Sequence, residues 1–475
     1  MNYQQWMKKY WSIAFIIIFT PILLYAVIHI LPTHDDWTGT TRPTFDPFFV
    51  RQHFLFYGYH WRPFDTWIGW FVGHNPQVLY PTFNHILVIL GHTICACLIF
   101  RLLSVFNFSQ TAKNLTTIAF FISPATMATT TAIDSQNQTY ALLFGITSFL
   151  VYINNIRFKY IVWVILIFIA TWWKENGLMW ALICPILAYG FDIIQLKSLK
   201  RDILIGISIM ISYAFAIILL PKDITIHPEY VPDEIKIVKS IIKFFFTTFI
   251  TTDYIYLLHK PSRNLWMAMF TFMLTLPFIY YIFLHHIKCF INKKILLVFL
   301  CLLIAAAPHV FTVYSMMHTY AGLAMIAIMT AYGIDCSLKE YKKPIIISFL
   351  LFVSSALMID IHLIDKSIKS GLIGKQMAQE AIHKTGKPVN NVHIIIIEDD
   401  YPKLSSFCVI PNEAFGWGLA TQYETNYQWP KNIQNTTLKR TPHATKQAYL
   451  FGRKQLKNYE CVWIVNHQQI DVIKK

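Results

Sequence analysis

Two adjacent acidic residues, Asp35 and Asp36, follow the first long apolar run of the chain, which covers residues 11–31. Ionisable groups at the point where a helix leaves a bilayer are costly to desolvate, so they commonly mark function. Neighbouring carboxylates repel each other, so one is expected to have a raised pKa while the other stays charged. That asymmetry suits a general base beside a carboxylate that stabilises positive charge. The alternative is a solvated acidic pair in a loop or a helix cap.

Other polar residues capable of catalysis or ligand binding are spread over the first half of the chain. Arg62 lies in an aromatic segment, where it either binds an anion or contacts a lipid headgroup. Lys174 and Glu175 end a short apolar run, and they either form a surface ion pair or place a cation beside a phosphate. His85 and His92 are seven residues apart and share one helical face. Their alternative role is that of core histidines bonded to neighbouring helices.

The composition predicts a polytopic membrane protein. The chain has 475 residues, of which 55% are hydrophobic and 14% are charged, and its mean hydropathy is +0.45. A soluble protein of this length carries about 25% charged residues. About eleven apolar runs are candidates for membrane spans. They cover residues 11–31, 80–103, 114–131, 139–154, 159–173, 177–195, 202–220, 265–287, 295–313, 318–335 and 344–363.

The basic residues predict the orientation. Every second connection between the apolar runs is short and rich in Lys and Arg. This positive-inside pattern predicts a cytoplasmic N-terminus and, with an odd number of spans, a C-terminus outside. Loops 32–79 and 221–264 then face outward, and an amphipathic run in the second loop is expected to lie against anionic lipid headgroups. The formal charge of +15 is therefore explained largely by Lys and Arg in the connections predicted to be cytoplasmic, and no nucleic-acid partner is implied.

The last part of the chain has a different composition, with more charge and no long apolar run. Short apolar segments at Val392–Ile397, Phe407–Ile410 and Cys461–Val465 predict buried strands. The predicted fold class is an all-α polytopic membrane domain, residues 1–363, followed by a small extracytoplasmic α/β domain, residues 364–475. Cys408 and Cys461 either form a disulfide in this domain or remain buried thiols.

Four segments resemble the GT-C superfamily of glycosyltransferases, in particular the transmembrane O-mannosyltransferases and their bacterial relatives. Together they lie within the first 195 residues or so. The turn after Pro124 departs from the family, because Ala128 and Ala132 stand where relatives usually keep an acid and a Trp. The four segments are Asp35-Asp36; Trp61-Arg62-Pro63-Phe64 with Asn75-Pro76, His85 and His92; Ser123-Pro124 through Leu143; and Lys174-Glu175 with Pro185 and Asp192.

The resemblance implies that a sugar passes from a polyprenyl-phosphate donor to a glycan, lipid or protein acceptor on the outer face of the membrane. Asp35 is the expected general base, and Asp36 is expected to position the acceptor or stabilise charge on the sugar ring. No cofactor is required, because cationic side chains can neutralise a leaving phosphate without a divalent metal. The expected phosphate ligands are Arg62, Lys174 and His85, supported by Glu175 and His92.

Two other functions remain open at this stage. A glycan polymerase or ligase would use a similar outer-face site but take a diphosphate-linked oligosaccharide. A transporter is disfavoured because the predicted spans contain few ionisable residues. Transporters also commonly have paired broken helices at matching positions in two halves, and these are not evident in the sequence. The first apolar run lacks a small-residue cleavage site, and the loops are short, which favours a bacterial inner membrane as the location.

Overall fold

The structure is a computed structural model that describes residues 3–33, 62–73, 75–219, 234–249, 263–284, 291–310, 316–398 and 411–475. Over these ranges the chain is mostly helical, with a small sheet near its C-terminus. The acidic pair Asp35 and Asp36 lies outside the described residues, as does the predicted strand Phe407–Ile410.

Each predicted apolar run overlaps at least one helix, and further helices lie outside the runs. Up to residue 219 they are α1 (Tyr3–Val27), α2 (Pro63–Gly73), α3 (Pro76–Leu79), α4 (Thr82–Val105), α5 (Gln110–Phe121), α6 (Pro124–Thr130), α7 (Gln136–Ile153), α8 (Lys159–Trp173), a 3-10 turn (Glu175–Met179), α9 (Trp180–Gly190) and α10 (Leu196–Leu219). They continue as α11 (Glu234–Phe249), α12 (Arg263–Ile279) with a π turn (Tyr280–Leu284), α13 (Lys293–Val310), a 3-10 turn (Met316–Gly322), α14 (Leu323–Leu338), α15 (Lys342–Thr385), α16 (Pro411–Ala414), a 3-10 turn (Gly416–Gly418), α17 (Leu419–Glu424) and α18 (Ala444–Gln455).

Several of these helices are long and apolar enough to cross a membrane, which indicates an integral membrane protein. Other predicted runs form shorter helices; residues 110–130, for example, divide into α5 and α6 because Pro124 begins the second helix and has no N–H to continue the first. The count of about eleven spans and their orientation therefore remain predictions. Within the described residues the five segments of sufficient length are Lys9–Val27, Thr82–Val105, Leu196–Leu219, Met316–Leu338 and Lys342–Thr385.

The two ends of the helical bundle differ in chemistry. At one end the short basic connections meet, and Lys293 Nζ lies 3.2 Å from Asp192 Oδ1. The backbone N–H of Ser109 donates to Asp335 Oδ2 at 3.0 Å in the same region of short connections. At the other end, the C-terminus of α8 meets the N-terminus of α7 and the C-terminal part of α13.

The C-terminal sheet has four strands in the order β2-β1-β3-β4. They are β1 (Asn391–Ile397), β2 (Asn432–Leu438), β3 (Cys461–Asn466) and β4 (Gln469–Lys474), of which only β3 and β4 pair antiparallel. The central strands β1 and β3 confirm the predictions at Val392–Ile397 and Cys461–Val465. Both are continuous apolar runs because the end of α15 covers one face of the sheet and α18 covers the other.

Cys461 lies buried in β3 as a free thiol. Burial raises the pKa of this thiol, which disfavours the reactive thiolate. Its predicted disulfide partner, Cys408, lies outside the described residues, so the bridge remains a prediction.

Helix α15 connects the bundle to the sheet without a break. It has 44 residues, which corresponds to about 66 Å of helix, roughly twice the hydrocarbon thickness of a bilayer. It runs through position 363, where the sequence analysis places the domain boundary, and its later turns pack against α16. A Cβ added to Gly374 would lie 2.2 Å from Ala414 O, so this close approach requires glycine.

The C-terminal part returns to the beginning of the chain. The hydroxyl of Tyr423, in α17, donates to the carbonyl oxygen of Tyr80 at 3.1 Å. The Tyr423 ring also packs against a buried cluster that contains Val72, Tyr80 and Ile133. Tyr423 thus joins the C-terminal part to α2, α3 and the segment that precedes α7, which carry the candidate site.

Candidate functional site

Polar side chains converge where α2, α7, the turn after α8 and α13 meet. Most of them are buried, although the surrounding helices are strongly apolar. We refer to this group as the polar cluster. Its members are Arg62, Asp65, Asn137, Gln138, Lys174, Glu175, Asn176 and His309.

Arg62 and Glu175 form a two-pronged ion pair. Nε of Arg62 donates to Oε1 of Glu175 at 2.8 Å, and Nη2 donates to Oε2 at 2.6 Å. Both side chains are mostly shielded, with 17% and 26% of their surface exposed. A pair of this geometry fixes orientation as well as charge. It ties the residue before α2 to the turn after α8, and it places a guanidinium next to Lys174.

Lys174 is a buried cation. Only 8% of the residue is exposed, and no carboxylate among the described residues lies at ion-pair distance from its ammonium group. Burial, and after it the repulsion from Arg62, lowers the pKa of Lys174 to about 8, while Glu175 and Asp65 act in the opposite direction. At neutral pH the side chain is therefore still charged but poorly compensated, which suits it to bind an anion.

Asp65 is the acidic member of the cluster in α2. Its Oδ2 accepts a hydrogen bond from Nδ2 of Asn137 at 3.0 Å, and its Oδ1 is buried without a hydrogen-bond partner within the described ranges. Burial raises the pKa of Asp65 to about 7, against the opposing charge of Arg62. A carboxyl with a pKa near neutrality and one free oxygen can accept a proton from a bound hydroxyl group.

Two amide side chains adjoin these charges. Nδ2 of Asn176 donates to Oε1 of Gln138 at 3.3 Å and to Nε2 of His309 at 3.4 Å. The ring of His309 stacks on His318 with the ring centroids 4.3 Å apart. These groups are uncharged hydrogen-bond donors and acceptors, so they extend the cluster beyond its ion pairs.

Comparisons with known proteins give no assignment for this site. No model of a known protein family matches the chain, and no curated protein sequence matches it. The function therefore has to be inferred from the polar cluster itself.

Aromatic stacking and one close backbone contact position the cluster. Phe64 stacks on Trp173 with the ring centroids 5.0 Å apart, and Tyr140 stacks on Trp173 at 4.6 Å. These contacts bind the start of α2 and the start of α7 to the end of α8. A Cβ added to Gly177 would lie 2.5 Å from Ala170 O, so the turn that carries Lys174 can pack this closely only with glycine.

The two histidines of α4 lie deep in the bundle. Nε2 of His92 bonds to Phe121 O at 3.0 Å and Nδ1 bonds to the Tyr320 hydroxyl at 2.9 Å, so both ring nitrogens are satisfied, as expected of a core histidine. Nε2 of His85 bonds to Ile30 O at 3.0 Å, and its Nδ1 is buried without a hydrogen-bond partner among the described residues. Within that part of the chain His85 forms no hydrogen bond with Arg62 or Lys174. The phosphate-binding role of His85 and the supporting role of His92 therefore remain predictions.

The structure brings together three of the predicted site residues, namely Arg62, Lys174 and Glu175. It adds members that the sequence analysis did not assign, of which Asp65 and the amides are the most informative. Asn137 and Gln138 had a signal in the sequence, since they belong to the polar run Asp134–Gln138 at the start of an otherwise apolar helix, whereas Asp65 and Asn176 lie outside that run. Asp192, part of the resemblance to GT-C enzymes, instead pairs with Lys293 and Lys294 at the opposite end of the bundle.

Proposed function

We propose that this protein is a membrane glycosyltransferase that moves a sugar from a polyprenyl-phosphate donor to an acceptor at the membrane surface. The observation that carries the proposal is Lys174, a buried cation without a carboxylate at ion-pair distance among the described residues. It directly follows the apolar helix α8. A polyprenyl phosphate carries its anion at the end of an apolar chain, so its headgroup matches a cation at the end of an apolar helix.

Arg62 supports the same role. Its guanidinium is held by Glu175 in a fixed plane and lies close enough to Lys174 for the two charges to repel each other. A phosphate between two cations relieves that repulsion and gains charge-assisted hydrogen bonds. In the reaction the same cations stabilise the negative charge that develops on the departing lipid phosphate.

The acidic groups supply the base. Asp35 and Asp36 are the proposed general base and its partner. Asp65, which lies within the described residues, adds a carboxyl group whose pKa of about 7 suits proton transfer. The acceptor hydroxyl oxygen forms a bond to the anomeric carbon as the bond from that carbon to the phosphate oxygen breaks. The hydroxyl proton passes to the carboxylate, the bonding electrons leave with the lipid phosphate, and attack in line inverts the anomeric centre.

The proposed location follows the sequence analysis. The polar cluster lies at the end of the bundle opposite the short basic connections, so the positive-inside rule assigns it to the outer face. The C-terminal sheet reaches the same end through Tyr423. The donor and acceptor would then meet outside, in our proposal at a bacterial inner membrane, with a glycan, lipid or protein as the acceptor.

Mass spectrometry of surface glycans and lipids, with and without the protein, tests the proposal. Loss of one hexose or pentose from a surface molecule is the expected result. Restoration by the wild type and not by Lys174→Gln would connect the loss to the polar cluster. Loss of polymer length would instead favour the polymerase or ligase, and an unchanged glycan and lipid profile would contradict glycosyl transfer.

A further inference from the structure

The amides of the polar cluster are unusual because their hydrogen-bonding capacity is only half used. Gln138 is 0% exposed and Asn176 is 6% exposed, yet Nε2 of Gln138 and Oδ1 of Asn176 have no hydrogen-bond partner in the part of the chain that the structure describes. Buried polar groups in folded proteins are nearly always paired, and an unpaired one is unfavourable. Two amides that contact each other through one end, and leave the other end unpaired, therefore require an explanation.

The two amides act as one unit. The hydrogen bond from Nδ2 of Asn176 to Oε1 of Gln138, 3.3 Å long, joins them and leaves one donor and one acceptor unused. If both amides are rotated by 180°, the roles exchange but one donor and one acceptor remain. A hydroxyl group is the natural complement, since it can accept one hydrogen bond and donate another.

The neighbours of this pair favour an uncharged ligand. Oε1 of Gln136 and Oδ1 of Asn137 are also buried without hydrogen-bond partners among the described residues, so unused amide groups recur at the start of α7. His309 contributes an imidazole to this part of the cluster. The carboxyl group of Asp65 disfavours the binding of a second negatively charged group there. The cluster thus divides into a cationic part at Arg62 and Lys174 and a neutral part at the amides.

We propose that the neutral part, centred on Gln138 and Asn176, binds the sugar of the lipid-linked donor through its hydroxyl groups. The inference rests on the proposed function, because it takes the donor phosphate to lie at Lys174. Asn176 is only two residues from Lys174 in the same turn, and the sugar is bonded directly to that phosphate. Gln138 and Asn176 would then determine which sugar is accepted, a property not assigned to either residue by the sequence.

Binding measurements with matched phosphodiesters test the inference. The probes are methyl farnesyl phosphate, which has the phosphate but no sugar, and farnesyl phosphates that carry mannose, glucose, galactose, N-acetylglucosamine or arabinose. We expect the wild type to bind at least one glycosyl ester about tenfold more tightly than the methyl ester, since two neutral hydrogen bonds each contribute several-fold.

The variant Gln138→Met/Asn176→Leu removes both amides with little change in volume. It should bind the methyl ester within about twofold of the wild type and lose the preference for the sugar. Gln138→Met alone should lose part of that preference. This single variant provides the test if the double variant does not fold. Asn114→Leu is the matched control, because it removes a buried amide that bonds to Ser12 Oγ at 2.6 Å at the opposite end of the bundle.

The outcomes separate the two proposals. A wild type that binds the methyl ester and all glycosyl esters equally well overturns the sugar site and leaves the phosphate site standing. Retention of the sugar preference in the double variant overturns it as well. A wild type that binds none of the diesters overturns the proposed function and this inference together.

Discussion

Lys174→Met replaces a buried ammonium with an apolar side chain of similar length, and we expect opposite effects on stability and binding. Stability should increase, because the change removes a buried charge that has no carboxylate at ion-pair distance among the described residues. Binding of a lipid phosphate should weaken, because the same charge is the proposed ligand. A residue kept at a cost in stability is the expected signature of a functional site.

The pKa of Lys174 gives the size of the first effect. Its lowering from 10.5 to about 8 corresponds to roughly 3 kcal/mol, since each pKa unit is about 1.4 kcal/mol. Because the folded-state pKa is the lower one, the penalty is fully present below about pH 8. It shrinks as the pH rises towards 10.5, where the unfolded chain also loses the proton. Lys174→Met should therefore be stabilising at pH 7 and nearly neutral above pH 10.5.

The second effect follows from the strength of hydrogen bonds to charged groups. Such a bond contributes about 1.5–3 kcal/mol, which corresponds to a rise in Kd of about 10- to 100-fold. In the wild type, affinity should also fall as the pH passes the Lys174 pKa of about 8. Methyl farnesyl phosphate is a suitable ligand, because the charge of a phosphodiester is constant over this pH range.

Both effects can be measured on purified protein in lipid nanodiscs. Thermal unfolding gives the stability at pH 7 and pH 10, and calorimetric titration gives the Kd of the diester. Lys113→Met is the matched control, because Lys113 is a half-buried lysine in α5, towards the opposite end of the bundle. Unchanged diester affinity in Lys174→Met, or a lower unfolding temperature than the wild type at pH 7, would refute this account of Lys174.

Asp35→Asn is expected to lower sugar transfer by about 10²–10⁴-fold with little change in diester binding, and Asp36→Asn to have a smaller effect; full activity in both would end the proposed mechanism. If Asp65 is a base, Asp65→Asn should remove the loss of activity below its pKa of about 7, whereas an unchanged pH–rate profile would assign the base elsewhere. Arg62→Ala should weaken diester binding and remove the ion pair with Glu175, and an unaltered Kd would exclude Arg62 as a phosphate ligand. A C-terminal reporter that is active only in the cytoplasm should be silent, and activity would mean that the number of spans is even.

The sequence was sufficient to predict a helical membrane protein and the positions of its helices, because long apolar runs have few other uses. The ends of the helices were harder to predict. Pro124 breaks one run into two helices, whereas α15 continues for 44 residues although its composition changes near residue 363. Where a helix leaves the apolar region, its side chains become polar but its backbone hydrogen bonds continue. The change in composition therefore marks the edge of the apolar region and not the end of the helix.

The candidate site was predicted only where it carries charge. Lys174 and Glu175 stand out in an apolar chain, but an isolated amide such as Asn176 does not, since single polar residues are common in helix interiors. The polar run that contains Gln138 is visible in the sequence but does not show what its side chains contact. Only the folded chain shows that the two amides meet and that part of each lacks a partner. The edge strands β2 and β4 were missed for a related reason, because their exposed faces are polar and lack the continuous apolar pattern of β1 and β3.

The contact between Tyr423 and Tyr80 has a consequence for biosynthesis. The two residues are 343 positions apart in the chain, so at about 5–20 residues per second the ribosome needs roughly 20–70 s to make the second after the first. During that interval the apolar surface around Val72 and Ile133 is complete except for its last partner. A nascent or truncated chain that ends before α17 therefore exposes this patch next to the polar cluster.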